Sequence, residues 1–350
     1  MYSLCLSCEF VRCYPQFLKG EKPMQGLNES ISVSSCHQNG LAGGRRQFLK
    51  QVCSGTAAAI ASQGVFSEWS LAQNSGTAVS PLPTVQLGPY RVTRLIAGGN
   101  PIGGFSHATK NLTRHMLEYF TLERTIEFLE KCDREGINTW QFDHDKKVVS
   151  ALRTVRERGS KLQFICLHAE KRGPIKTAIA ETNAIAMVHH GGVTDTLFRT
   201  GKAQEVHDFV KRVHDQGILA GVSSHSPENI QRIFDEGWEN DLFMTCLYYV
   251  TRPREEQQKL LGKVTVGEPF FESDPIEMTK VVRSVSKPCL AFKILAAGRL
   301  CEDQKMVEEG FKFAFQNIKP TDAVIVGMFP RYEDEVRLNA GYAQKYARNA

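Results

Sequence analysis

The sequence predicts one α/β domain: a closed, eight-stranded parallel (β/α)8 barrel over residues 90–345, preceded by a disordered N-terminal signal region over residues 1–80. Three observations predict it. From Tyr90 onward, short apolar runs alternate with amphipathic stretches, the pattern of repeated βα units. Eight such units fill the roughly 250 residues that one barrel needs, which leaves no chain for a second core. The turn after the first strand, Gly98-Gly99-Asn100-Pro101, lacks the G-x-G-x-x-G spacing of an open dinucleotide-binding sheet, and no helix follows at once.

The strands are placed at Val92–Ala97, Thr139–Phe142, Gln163–Leu167, Ala184–Val188, Leu219–Val222, Leu242–Leu247, Leu290–Ile294 and Ala323–Val326. Each is short, β-branched or aromatic, and bounded by polar or turn residues. Pro81, Pro83 and Gly88-Pro89 read as the linker into the domain. Between the strands lie helical patterns. Leu122–Cys132 carries Ile126, Leu129 and Cys132 on one face and stops at Gly136. Lys202–Asp215 repeats Val206, Phe209, Val210 and Val213, and Ser226-Pro227-Glu228 opens a further helix with a capping serine and a first-turn proline. Two connections are long. Thr251–Asp274, after the sixth strand, reads as a lid or binding loop, and Gly98–Thr121, after the first, carries His107 and His115.

Composition excludes several classes. A chain that is 42% hydrophobic and 23% charged, with 28 Gly and 14 Pro in 350 residues, is neither collagen, coiled coil nor wholly disordered. A formal net charge of +5 gives no sign of a nucleic-acid surface. No uninterrupted apolar run approaches the roughly 20 residues that span a bilayer.

Residues 1–80 are rich in Ser, Gly, Asn and Gln and lack amphipathic periodicity. Within them, Arg45-Arg46-Gln47-Phe48-Leu49-Lys50 followed by the small-residue stretch Cys53–Ser62 resembles a twin-arginine export signal. The expectation is export as folded protein through the twin-arginine translocon to the periplasm or the extracellular space, with no stable membrane insertion after cleavage. Met24 is an alternative start, and cleavage is expected between Ala61 and Gln73. Five of the ten cysteines lie in this region; the other five (Cys132, Cys166, Cys246, Cys289 and Cys301) have no paired spacing, so no disulfide framework is expected. Cys166 and Cys246 sit inside apolar strands as small core residues.

The strand-end motifs then point to a family. Gly136-Ile137-Asn138 with Phe142-Asp143, Gly221-Val222-Ser223-Ser224 with Ser226-Pro227-Glu228, Ala291-Phe292-Lys293 with Ala297-Gly298-Arg299-Leu300, and Asp322–Met328 with Asn339-Ala340 together resemble the aldo/keto reductases from about Leu95 to Ala343. The resemblance implies a TIM barrel that binds NADP, with Ser223, Phe292, Gly327 and Arg331 at the cofactor and Asp143 and His189 kept from the catalytic tetrad. It also exposes departures: Val148 stands where the family has its proton-donating tyrosine, His168 where it has lysine (with Lys171 close by), and Ser224 where it has asparagine. Without a phenol poised by a lysine, carbonyl reduction loses its general acid.

Imidazoles and carboxylates gather at the strand ends instead. Asp143, His144 and Asp145 follow strand two, His168 and Glu170 strand three, His189 and His190 strand four, and His225 strand five. Strand ends of a barrel share its mouth, and these side chains are the ligands of zinc, iron and manganese. The expected divalent transition-metal set is Asp143, His168, His189 and His225, with Glu170 or His190 substituting if the facing is off by one residue. Tyr248 at the end of strand six is a candidate acid, and Lys293 in strand seven a candidate holder of an anionic or oxygen-rich substrate. The first expectation is therefore an exported enzyme performing metal- or histidine-assisted chemistry on a small hydroxy-carbonyl, carbohydrate-like molecule. The alternatives are an NADP-dependent oxidoreductase and a non-catalytic ligand-binding barrel.

Overall fold

The computed structural model of the chain describes residues 81–169 and 173–348, so Arg45, Arg46 and Glu170 lie outside the described residues. The eight barrel strands are β3 (Leu95–Gly98), β4 (Thr139–Asp143), β5 (Gln163–His168), β6 (Ala186–His189), β7 (Leu219–Ser224), β8 (Leu242–Cys246), β9 (Cys289–Phe292) and β10 (Ala323–Gly327). They close in sequence order, with β10 beside β3, into the expected TIM barrel. The strand boundaries shift by one or two residues from expectation, mostly outward at the C-terminal ends.

The first strand differs in kind. The predicted single strand Val92–Ala97 is broken at Arg94 into β2 (Tyr90–Thr93) and β3, and β2 pairs antiparallel with β1 (Thr84–Leu87). The supposed linker is thus a hairpin. Arg94 is 3% exposed, and its guanidinium donates to the carbonyls of Asp322, Ala347 and Lys319 at 2.9, 2.6 and 3.0 Å. That clamp turns the chain from hairpin into barrel, and Val85, Leu87 and Val92 join the lumen's apolar cluster. The alternation Val85-Gln86-Leu87 before Gly88-Pro89 was the signal for it.

Two apolar clusters define the strand faces. Ile96, Ile165, Ala186, Val188, Leu242, Met244, Leu290 and Ile325 fill the lumen. Trp140, Phe142, Phe164, Cys166, Met187, Val222 and Phe243 pack outward under the helices. Because strand side chains alternate, these clusters decide where every strand-end polar residue points.

The helices that cover the barrel are α1 (Lys110–Tyr119), α2 (Leu122–Arg134), α3 (Lys146–Glu157), α4 (Ile175–Thr182), α5 (Gly191–Arg199), α6 (Ala203–His214), α7 (Pro227–Asp235), α8 (Arg254–Leu261), α9 (Asp274–Ser284), α10 (Gln304–Asn317) and α11 (Glu335–Tyr346). The predicted apolar faces of α2 and α6 are buried. The lid Thr251–Asp274 contains α8 and hangs on Arg252. That guanidinium is buried, donates to Asp274 at 2.6 Å, pairs with Glu256, and lies over the rings of Tyr249 and Phe271 at 4.6 and 5.1 Å. A buried ion pair so engaged is expensive to break, which holds the root of the lid in place. Among the described residues no helix is long and apolar enough to cross a membrane.

Candidate active site

Lumen phase at the C-terminal strand ends belongs to Asp143, Ser223 and Phe292. Asp143 pairs in register with Leu167, Ser223 with Met244, and Phe292 packs against the lumen cluster. His225 follows β7 in the same phase as Ser223, and its ring meets Phe292 edge-on at 5.7 Å.

His225 is held by a carboxylate that sequence reading missed. Asp195 on α5 is 4% exposed and accepts from His225 Nδ1 at 2.7 Å. It also accepts from Ser224 Oγ at 2.5 Å, Thr251 Oγ1 at 2.8 Å, Asn229 Nδ2 at 3.1 Å and the His225 amide at 3.2 Å. Burial pushes the Asp195 carboxyl up, but the bond from His225, its charge and the bonds from Ser224 and Thr251 outweigh this and hold it below the usual carboxylate range. Nδ1–H therefore faces Asp195, and Nε2 makes no hydrogen bond among the described residues. A histidine oriented through Nδ1 with Nε2 open is the arrangement of a general base. Gly191 makes the approach possible: a Cβ there would lie 2.9 Å from Ser223 Oγ and 3.1 Å from His225 Cε1.

A second polar group also reaches Phe292, with Lys293 Nζ 5.4 Å from the centre of its ring. Lys293 Nζ lies 2.9 Å from His107 Nε2, and His107 Nδ1 lies 2.9 Å from both carboxylate oxygens of Glu268 in the lid. Asn100 Nδ2 donates to the same Nε2 at 3.2 Å, and Arg299 donates to the His107 carbonyl at 3.1 Å while stacking at 3.7 Å on Phe270. Burial raises the Glu268 carboxyl, but the bond from His107 and the charges of His107, Lys293 and His225 bring it below its ordinary value. His107 and Lys293 both have left-handed backbones, with φ of 52° and 59°. Such non-glycine positions cost of order 1–3 kcal/mol each and persist where surrounding contacts fix them. His107, Glu268 and Arg299 also line an open groove of about 650 Å³, the size of a small-molecule site. Lys293 and His107 were singled out in the sequence, but Glu268 was not; its one signal was its place in the long connection. His115 is exposed on α1.

The expected metal set does not assemble. His168 and His189 pair in register on the outward phase of β5 and β6, and both rings pack on Phe209 of α6, at 6.5 and 4.9 Å. His168 Nε2 lies 3.0 Å from the Gly173 carbonyl and His189 Nδ1 lies 2.7 Å from Thr194 Oγ1. They are core residues, because the strands extend one residue further than expected and the added residue falls on the outer face. His190, half-buried, precedes α5. Among the described residues, no group of three or more His, Cys, Asp or Glu is placed to hold a metal. Tyr248 is also displaced from its expected role: it is buried against Phe270, and burial with the nearby Asp274 carboxylate pushes its phenol up to about 12. Arg331 lines a separate groove with Arg124, Lys131 and Arg134, whose lining includes neither Ser223 nor Phe292, and Gly327 is exposed at the end of β10.

His189 carries a pH dependence of stability. Burial first, then the neighbouring His190, His168 and Arg212, lower its pKa to about 3. The unfolded chain takes up this proton below about 6.5 while the fold resists it, so stability is full above that pH and falls as pH drops toward 3. The loss is of order 5 kcal/mol at the acid end. Urea unfolding at pH 7 and pH 4 measures it, and His189→Asn, which keeps a partner for Thr194, is expected to flatten the difference.

No family model and no curated protein matches the chain. Among solved structures it is similar to a glycerol dehydrogenase from Gluconobacter oxydans, at 12% identity and a TM-score of 0.46 over 75% of this chain and 89% of that one. It is similar to a truncated 3-deoxy-D-arabino-heptulosonate 7-phosphate synthase from Thermotoga maritima, at 12% identity and 0.45, over 77% and 92%. It is also similar to an N-acetylmannosamine-6-phosphate 2-epimerase from Clostridium perfringens, at 12% and 0.41, over 67% and 85%. At these identities the chemistry has to come from this chain's own side chains.

Proposed function

We propose that the barrel is an enzyme that moves protons next to the carbonyl of a small hydroxy-carbonyl, carbohydrate-like compound at its C-terminal mouth. The observation that carries the reading is His225, held through Nδ1 by the buried Asp195 and open at Nε2 beside Phe292. Nε2 takes the proton from the carbon beside the carbonyl, and the imidazolium so formed is stabilised by the carboxylate behind it. Negative charge then develops on the carbonyl oxygen, and the Lys293 ammonium, which also lies against Phe292, supplies a donor for it. Return of the proton to the same carbon gives racemisation; return to the adjacent carbon, with the hydroxyl proton passing to the former carbonyl oxygen, gives isomerisation. Incubating the protein in D2O with dihydroxyacetone, glyceraldehyde and their longer hydroxy-ketone analogues, and following loss of the carbon-bound proton by NMR, tests the reading. Exchange of one of them above the protein-free rate supports it. Absence of exchange across the panel removes it in favour of a ligand-binding barrel.

A metal has no step in this mechanism, because the histidines expected to ligate it face the helices. The NADP-dependent reading fares little better on residues. Val148, at the position of the family's tyrosine, is buried in α3, and the tetrad positions His168 and His189 point outward. Ser223 and Phe292 do have lumen phase, but Phe292 is already engaged by His225 and by Lys293 Nζ at 5.4 Å. The family's own proton donor is missing at Val148 and Tyr248 is buried, and no step is drawn through a nicotinamide.

We further propose export by the twin-arginine route, which the Arg45-Arg46-Gln47-Phe48-Leu49-Lys50 string supports. Residues 1–80 would then be the signal and linker, and residues 90–345 the exported barrel. Arg45→Lys with Arg46→Lys is expected to leave the precursor inside the cell, since a guanidinium pair is read by more than its charge. Immunoblots of cell fractions check this, and normal secretion of the double variant would mean that the string is no signal.

A further inference from the structure

We propose that Lys293 is an amine nucleophile that forms a Schiff base with the substrate carbonyl, with His107 as its base and Glu268 as the residue that positions that base. This rests on the reading above that the mouth takes a carbonyl compound, and it adds a covalent step. The donor inventory decides the direction of the bonds. A lysine ammonium and the Asn100 amide nitrogen can only donate, so His107 Nε2, at 2.9 and 3.2 Å from them, must accept. The ring proton is then on Nδ1, donated to Glu268 at 2.9 Å. Nucleophile, base and orienting carboxylate stand in one hydrogen-bonded line, the arrangement that activates enzymatic nucleophiles. The half-buried Lys147 and Lys287 donate to backbone carbonyls, whereas the hydrogen bond of Lys293 among the described residues goes to an imidazole nitrogen.

Two further observations fit the assignment. The nucleophile and its base both have left-handed backbones, and Arg299 pins the carbonyl of His107, so the geometry is built rather than incidental. Lys293 and His107 are half-buried and Glu268, in the lid, is exposed, so a substrate can reach the amine and the line is complete only with the lid in place.

The step balances. Lys293 passes one proton to His107 Nε2, leaving a neutral amine and an imidazolium that Glu268 stabilises. The amine lone pair forms the C–N bond, the carbonyl π pair moves to oxygen, and that oxygen takes the proton from His107. Nitrogen then supplies the pair for the C=N bond as the C–O bond breaks. The oxygen leaves as water after one more proton passes from nitrogen through His107, and a protonated imine remains.

The test is reductive trapping of the full-length protein with dihydroxyacetone or glycolaldehyde and sodium cyanoborohydride, read by intact mass and peptide mapping. One adduct on Lys293, absent from Lys293→Met, is expected. His107→Asn is expected to slow trapping by about tenfold or more. Glu268→Gln is expected to move its pH midpoint to more acidic values, because an imidazolium without its counter-charge gives up its proton at lower pH, and Glu268→Asp to restore part of the shift. Label spread equally over lysines, unchanged in Lys293→Met, overturns the proposal. So does deuterium exchange catalysed normally by Lys293→Met, a result that leaves the His225 reading intact. An adduct at Lys293 together with no exchange at carbon supports the amine and sinks the proton-transfer reading.

Discussion

Replacing His225 by glutamine is expected to lower carbon–hydrogen exchange by about 10²–10⁴-fold, the usual contribution of a positioned general base. The variant should remain folded, because the side-chain amide can still donate to Asp195, whose other bonds from Ser224, Thr251 and Asn229 stay in place. The loss should appear at every pH rather than as a shifted profile, since no titrating group is left at that position. Equal exchange by His225→Gln and the unaltered protein would remove the base from the mechanism. Circular dichroism and urea unfolding on the same samples separate lost chemistry from lost structure.

Asp195→Asn is expected to act on both rate and stability. An asparagine oxygen in the place of Oδ1 accepts from Ser224 and Asn229 but turns the amide hydrogens onto the donors of the His225 ring and Thr251; in the place of Oδ2 it accepts from His225 and Thr251 and turns them onto Ser224 and Asn229. One way to relieve the clash is to move the His225 proton from Nδ1 to Nε2, which turns the open nitrogen from acceptor into donor. Exchange should fall by about 10²-fold or more, as it does when an orienting carboxylate is lost and the tautomer is wrong. Stability should fall by about 2–3 kcal/mol, the worth of hydrogen bonds to a buried charged acceptor. The pH sense follows from the depressed carboxyl: its contribution is present above the ordinary carboxylate range and lost as pH falls through it. Acid therefore removes stability from the unaltered protein at both Asp195 and His189, and Asp195→Asn should lose less on acidification than its parent. A urea midpoint for Asp195→Asn equal to that of the parent would mean that the buried carboxylate contributes nothing to the fold.

The barrel was readable in the sequence because its eight strands and covering helices are local patterns. A four- to six-residue apolar run and a 3.6-residue periodicity need no knowledge of distant residues, and seven of the eight strands stand within a residue or two of where those patterns put them, the first being cut at Arg94. Even the hairpin had a local signal, in the alternation through Val85 and Leu87.

The mouth was readable only in part. Phe292, Lys293 and His225 end or follow strands and could be singled out, and His107 could be seen in its loop. His168 and His189 could be singled out equally well, and they face the helices. Sequence determined which polar residues stand at the strand ends. The tertiary structure alone decided which of them face the lumen, because a strand one residue longer turns its last side chain to the other face. It alone could also bring Asp195 from α5 to His225, and Glu268 from the lid to His107, across 30 and 161 residues of chain. Those pairings depend on where helices and lid settle against the barrel, and no local pattern records that.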